Sequence, residues 1–238
     1  MFLLRRKLID TATGLFVIGG FLILIIYSPT VILEIPFFKI SHLEINVKDA
    51  AVKRIIKETL NKNFSNNWLL LKINGEEFNN LVEKRSKFYV EKVKIADFNF
   101  LKGNLKLEIK LNNPVFVLNN NFFLAKNGRI FLYPYPKKVN VPILIDTYQR
   151  WQVGQIYPKQ VLKKLYILDE LYSLKFLKKN HQIIRGRGIN YQIIFNLNSD
   201  IEKAFRVKRV LERVGYINQK IFINLLGKKS FAVKIYKE

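Results

Sequence analysis

Between residues 38 and 113 the apolar positions change their spacing several times, and each change marks a predicted element. FKISHLEINV (residues 38–47) sets Ile40, Leu43, Ile45 and Val47 in the alternating manner of a strand. AAVKRIIKETL (residues 50–60) places Val52, Ile55, Ile56 and Leu60 at helical intervals. An Asn-rich turn leads to WLLLKI (residues 68–73). NGEEFNNLVEKR (residues 74–85) opens with Asn74 as an N-cap candidate, carries Glu76 and Glu77 in the first turn, and puts Phe78, Leu81 and Val82 on one face. YVEKVKIADF (residues 89–98) and LKLEIKL (residues 105–111) alternate with period two around Lys102-Gly103-Asn104, a hairpin signal. The predicted order is β-α-α-β-β, with two helices on one face of a three-stranded sheet.

Past Pro114 the pattern shifts. PVFVL (residues 114–118) and FFLAKNGRIF (residues 122–131) read as two strands and a turn, with Lys126-Asn127-Gly128 tolerating positive φ. Pro158 suits a first helical position for a helix over residues 158–178, with Val161, Leu165, Leu168, Leu171 and Phe176 on its buried side. HQIIRGRGINYQIIFNL reads as a hairpin, and its Arg185-Gly186-Arg187-Gly188 as an exposed turn rather than an RNA-binding stretch. Ser199 or Asp200 caps a helix over residues 200–214, with Ile201, Ala204, Phe205, Lys208 and Leu211 along one face. KIFINLL (residues 220–226) and SFAVKIYK (residues 230–237) are the last two strands.

The N-terminus carries a different signal. Arg5, Arg6 and Lys7 precede an apolar run that is densest over residues 15–26 and extends to Leu33. About 20 mostly apolar residues cross a bilayer core as a helix. The exit from this run lacks a small-x-small cleavage site, so residues 8–33 read as an uncleaved anchor rather than a signal peptide. The basic cluster ahead of the span sets the N-terminus in the cytoplasm and the remainder outside.

Composition narrows the chemistry. In 238 residues, 41 Lys and Arg against 18 Asp and Glu give a formal net charge of +23. That balance suits an anionic partner, or a solvated lysine-rich surface, since the lysines are scattered between apolar positions. There is no cysteine, and His42 and His181 are the only histidines, so neither disulfides nor a metal site are expected. No nucleophile elbow or phosphate-cradling Gly loop is present, and Asp97, Glu108, Asp146 and Glu170 stand apart in sequence. The expectation is a protein that is not an enzyme and carries no cofactor. Glu76 and Glu77 read as a solvated first turn, and Trp68 as a core residue.

The phrases FFKISHLEIN, NNWLLLKINGEEFNNLVEK, FYVEKVKI and LKLEIKLNNPVFVL, in this order behind one N-terminal anchor, resemble the bacterial cell-division family FtsQ/DivIB. The resemblance runs from the membrane segment to the C-terminus. It implies an α+β protein: residues 1–7 cytoplasmic, 8–33 a transmembrane helix, 37–113 a POTRA domain (β-α-α-β-β), and 114–238 a mixed α/β domain with a largely antiparallel sheet and an exposed C-terminal edge strand. The family's acidic-basic pair before the junction proline is replaced here by Asn112-Asn113-Pro114, and its Asp-hydrophobic-Arg phrase near the end by Asn224-Leu225-Leu226.

The implied role is a single-pass inner-membrane protein of the division septum. It would bind membrane-anchored FtsB- and FtsL-like proteins, with no nucleic acid or small-molecule substrate. The family's partner FtsB docks on the terminal edge strand, which transfers that role to Phe231, Ala232, Val233, Lys234, Ile235 and Tyr236. Two alternatives stand beside it: a POTRA-type chaperone or translocation module, and a membrane-tethered nucleic-acid binder. The latter predicts basic residues and aromatic platforms clustered on one surface.

Overall fold

The computed structural model describes residues 38–99, 101–215, 219–227 and 230–236. The chain forms two compact units. The first runs to Leu81 and takes up Val93–Ile109; the second takes Val82–Lys92 and the chain from Lys110 onward.

The N-terminal elements are β1 (His42–Asn46), α1 (Ala50–Phe64), α2 (Trp68–Ile73), α3 (Gly75–Arg85), β2 (Val90–Asn99) and β3 (Asn104–Leu111). Helix α1 starts where Asp49 accepts hydrogen bonds from the Ala51 and Val52 amides, at 3.0 and 3.2 Å. It stops at Ser65, whose φ of 50° breaks the helical path. Val52, Ile56, Leu60 and Phe64 recur on its buried face. WLLLKI forms a helix of its own, started by the Asn67 side chain, which accepts from the Leu69 and Leu70 amides. There are thus three helices here, not two. Asn74, predicted to cap α3, is the last-turn cap of α2.

The three strands are ordered β1-β3-β2, with β1 parallel to β3 and Ile45 opposite Leu107. The hairpin between β2 and β3 turns at Gly103, where φ is +63°. A Cβ there would come within 2.7 Å of the Ser41 hydroxyl and 3.0 Å of the Lys39 carbonyl.

The second unit holds β4 (Pro114–Leu118), β5 (Phe122–Ala125), β6 (Ile130–Phe131), β7 (Ile143–Asp146), α4 (Lys159–Tyr172), β8 (Leu174–Asn180), β9 (Ile183–Gly188), β10 (Tyr191–Asn196), α5 (Glu202–Arg213), β11 (Lys220–Leu225) and β12 (Ala232–Tyr236). Nine strands make one sheet in the order β12-β11-β10-β9-β8-β7-β4-β5-β6. One face carries the core. Leu177, Ile184, Ile193, Phe195 and Ile223 are buried together with Leu165 and Leu168 of α4 and Ala204 and Val207 of α5.

This architecture corrects the expected fold class. The protein is mixed α/β with a large nine-stranded sheet, in place of the expected α+β class. Three neighbouring pairs, β4/β7, β7/β8 and β10/β11, are parallel. For β7/β8 and β10/β11 the cause is that α4 and α5 are crossover connections, carrying the chain from one strand to the next in the same direction; β4 and β7 are joined through β5 and β6. Among the described residues no helix is long and apolar enough to cross a membrane. The apolar run at 8–33 and the basic residues Arg5, Arg6 and Lys7 lie outside the described residues.

Local predictions shift for the same reason. Helix α4 ends at Tyr172, where Ser173 adopts φ 48°, so Phe176 stands on strand β8 and is 38 % exposed. The buried residues of α5 are Ala204, Val207 and Leu211, while Phe205 faces out. Arg185-Gly186-Arg187 is not a turn but the middle of β9. Gly186 faces the core, where a Cβ would meet Leu174 and Ile193 at 2.7 and 2.8 Å, and alternation turns both arginines outward.

Candidate docking edge

Among the described residues strand β12 pairs with β11 alone and ends the sheet. Its register decides which backbone groups are free. The Ile221 amide donates to the Asn190 carbonyl at 2.8 Å, so Ile221 and Ile223 direct their backbone groups at β10. Lys220, Phe222 and Asn224 then direct theirs at β12, which makes Lys220–Tyr236, Phe222–Lys234 and Asn224–Ala232 the hydrogen-bonded pairs. The N–H and C=O groups of Val233 and Ile235 therefore point away from the sheet. A partner strand would meet those two residues.

Side chains on β12 alternate between the faces. Val233 packs against the core and Ile235 is half-buried, whereas Ala232, Lys234 and Tyr236 are exposed on the other face. The Lys234 ammonium sits 5.2 Å from the centre of the Tyr236 ring. Phe231 is 49 % exposed just ahead of the strand.

The opposite edge is closed. The Ile130 amide of β6 donates to the Gln155 carbonyl and the Gly154 amide donates to the Ile130 carbonyl, at 2.9 and 2.8 Å. Arg129 also bridges to Ile156, and its guanidinium donates to the Gly154 carbonyl at 2.7 Å. Of the two ends of this sheet, β12 is the one whose outer backbone groups have no partner strand among the described residues.

The four carboxylates that stand apart in sequence do not converge. Asp97, Glu108 and Glu170 are exposed, while Asp146 is buried at the end of β7. Asp146 accepts from Lys179 Nζ through both oxygens, at 3.2 and 3.1 Å, and from the Tyr157 hydroxyl at 3.1 Å. Burial, reinforced by the Asp146 charge, pushes the Tyr157 hydroxyl far above its usual range. Tyr157 therefore stays a neutral donor, and the three groups satisfy one another. Asn119 secures the same point, accepting from the Asp146 amide at 2.7 Å. This network locks the parallel β7/β8 junction to the segment ahead of α4.

His42 is exposed, and His181 packs against Tyr148 with ring centres 4.4 Å apart. Among the described residues no group of three or more His, Cys, Asp or Glu side chains is placed to hold a metal ion. Glu76 and Glu77 lie exposed in the first turn of α3. Trp68 is half-buried between Phe38 and Phe98, with ring centres at 5.7 and 4.6 Å.

Asn112, which stands where the resembled family has a charge, is buried. Its amide donates to the Phe88 carbonyl at 2.8 Å and its oxygen accepts from the Asn127 side chain at 2.9 Å. A charged side chain in its place would have to be desolvated.

No family model matches the chain, and no curated protein matches it.

Proposed function

We propose that this protein is a non-catalytic scaffold of the FtsQ/DivIB type. It binds membrane-anchored division proteins, FtsB- and FtsL-like, and links them for assembly of the septal cell-wall machinery. One span near residues 8–33 holds it in the inner membrane, N-terminus inside. The observation that carries this reading is the free edge of β12, where Val233 and Ile235 present unpaired backbone groups beside a packed sheet. An added strand gains affinity from those groups and specificity from alternate side chains. Confinement to one membrane raises the partners' effective concentration, so a short edge suffices.

The test is binding of the full chain to the extracytoplasmic segments of the FtsB- and FtsL-like proteins of the same cell. Saturable binding that Val233→Pro and Ile235→Pro abolish, in variants that keep the parent's circular dichroism, supports the reading. Binding that both proline variants retain removes the edge from it, and no binding by the folded parent removes the scaffold role.

A further inference from the structure

Helices α4 and α5 pack on the core face of the nine-stranded sheet, and among the described residues the other face of β8 to β12 has an unusual composition. Strands β8 to β12 contain no Asp or Glu at all. The register places Phe176, Arg187, Gln192, Phe222 and Lys234 in one row across these five strands. In the next row Lys178 stands directly opposite Arg185. Like charges placed opposite each other across strands repel. Among the described residues none of Lys178, Arg185 and Arg187 has a carboxylate partner, so this repulsion has no internal relief.

Between the cations lie apolar side chains that water covers. Phe176 and Ile183 are each 38 % exposed, and Ile194 and Phe222 are partly so. At the end of the face a pocket of about 460 Å³ opens between Lys178, His181, Ile183 and Arg185.

We infer that this face docks on an anionic lipid surface. Lys178, Arg185 and Arg187 meet the headgroup phosphates, while Phe176 and Ile183 enter the headgroup boundary. Basic residues near an anionic leaflet and apolar side chains at its boundary act together, and neither suffices alone.

A single-stranded nucleic acid fits less well. Phe176 and Phe222 are three strands apart, on the order of 14 Å. The Tyr236 ring carries the Lys234 ammonium, so the rings form no continuous stacking platform. The exposed isoleucine also has no counterpart on a phosphate chain.

The chain has no cysteine, so a single probe can be placed. The full chain carrying Ile183→Cys, labelled with an environment-sensitive fluorophore, is mixed with vesicles of phosphatidylcholine alone or with phosphatidylglycerol. The expected result is a blue shift with phosphatidylglycerol only, absent when the label is moved to Arg209→Cys on the helical side. Adding Arg185→Gln and Arg187→Gln raises the anionic lipid needed for half the shift about thirtyfold, from roughly a tenfold loss per 1.4 kcal/mol and about 1 kcal/mol per cation. Arg185→Lys with Arg187→Lys retains it.

An equal shift on both lipids, or none on either, overturns the proposal. So does a shift with a single-stranded oligonucleotide or an acidic peptide and none with vesicles. These outcomes leave the β12 edge untouched, since they read a face and not a strand.

Discussion

Lys179 Nζ lies 3.1 to 3.2 Å from both carboxylate oxygens of Asp146, and the Asp146 side chain is wholly buried. The pair joins β7 to β8, the parallel step at the middle of the large sheet. Breaking one partner leaves a buried charge without compensation, at a cost of about 3–5 kcal/mol. Asp146→Leu alone is therefore expected to unfold far earlier in urea. Lys179→Met together with Asp146→Leu is expected to recover part of the loss, because no lone charge remains. A double-mutant cycle on the urea midpoints checks this; equal and additive losses would show that the two groups act independently.

Tyr157 and Tyr172 are both held neutral chiefly by burial, with hydroxyls pushed well above the usual tyrosine range. The sign follows from linkage. Up to the unfolded value, about 10, both states carry the proton. Above it the unfolded chain ionises and the folded one does not, so stability falls as pH rises. The fall begins near pH 10 and continues toward the raised folded values. Tyr157→Phe with Tyr172→Phe is expected to flatten that alkaline decline, measured as urea midpoint against pH. An unchanged slope would assign the decline to other groups.

Gly186 sits under Leu174 and Ile193 with no room for a methyl group. Neither neighbour can swing away, since both are buried in the core. Gly186→Ala is expected to cost about 1–3 kcal/mol by overpacking. Gly215, where a Cβ would meet nothing within 4 Å but φ is +74°, is the comparison. Gly215→Ala suffers strain without a clash and is expected to cost about 1 kcal/mol, in the range for αL strain outside glycine. Thermal unfolding of the two variants ranks them.

Proline at two neighbouring positions of β12 separates the inner from the outer hydrogen bonds. The Ala232 amide points at β11, and the Val233 amide points out. Ala232→Pro removes a bond of the sheet itself, and is expected to lose about 1 kcal/mol more stability than Val233→Pro. Proline is tolerated on an edge where its missing N–H faces solvent. The reverse ranking in urea unfolding would mean that the register of β12 is shifted by one residue.

Much of the local structure was legible in the sequence because it is local. The alternation in residues 105–111 and the Gly103 turn ahead of it follow from period two and from a φ that only small residues adopt readily; in residues 89–98 strand β2 forms, but only Val90 and Val93 are buried on it. Tyr172 was not legible. Its hydroxyl donates to the Ala204 carbonyl at 2.7 Å, joining residues 32 positions apart. Nothing in the neighbourhood of either residue signals that bond.

The face of β8 to β12 away from the core was not legible for a related reason. Lys178 and Arg185 lie on different predicted elements as long as residues 158–178 are read as one helix. The positive φ at Ser173 ends the helix and begins β8, and only then do the two side chains become neighbours. A serine in αL conformation is an uncommon residue for that place, so the boundary leaves little trace in the sequence.

The sequence by itself determined the apolar N-terminal run, the excess of cations, the absence of thiols, and the alternating or helical character of most segments. These depend on spacing and composition alone. The tertiary structure decided the parallel pairings, the open edge at Val233 and Ile235, and the gathering of Arg185, Arg187 and Lys178 on one face. Each of those depends on which strand lies beside which. A strand's own residues do not encode that choice; it is made by the hairpins and crossover helices that carry the chain from strand to strand.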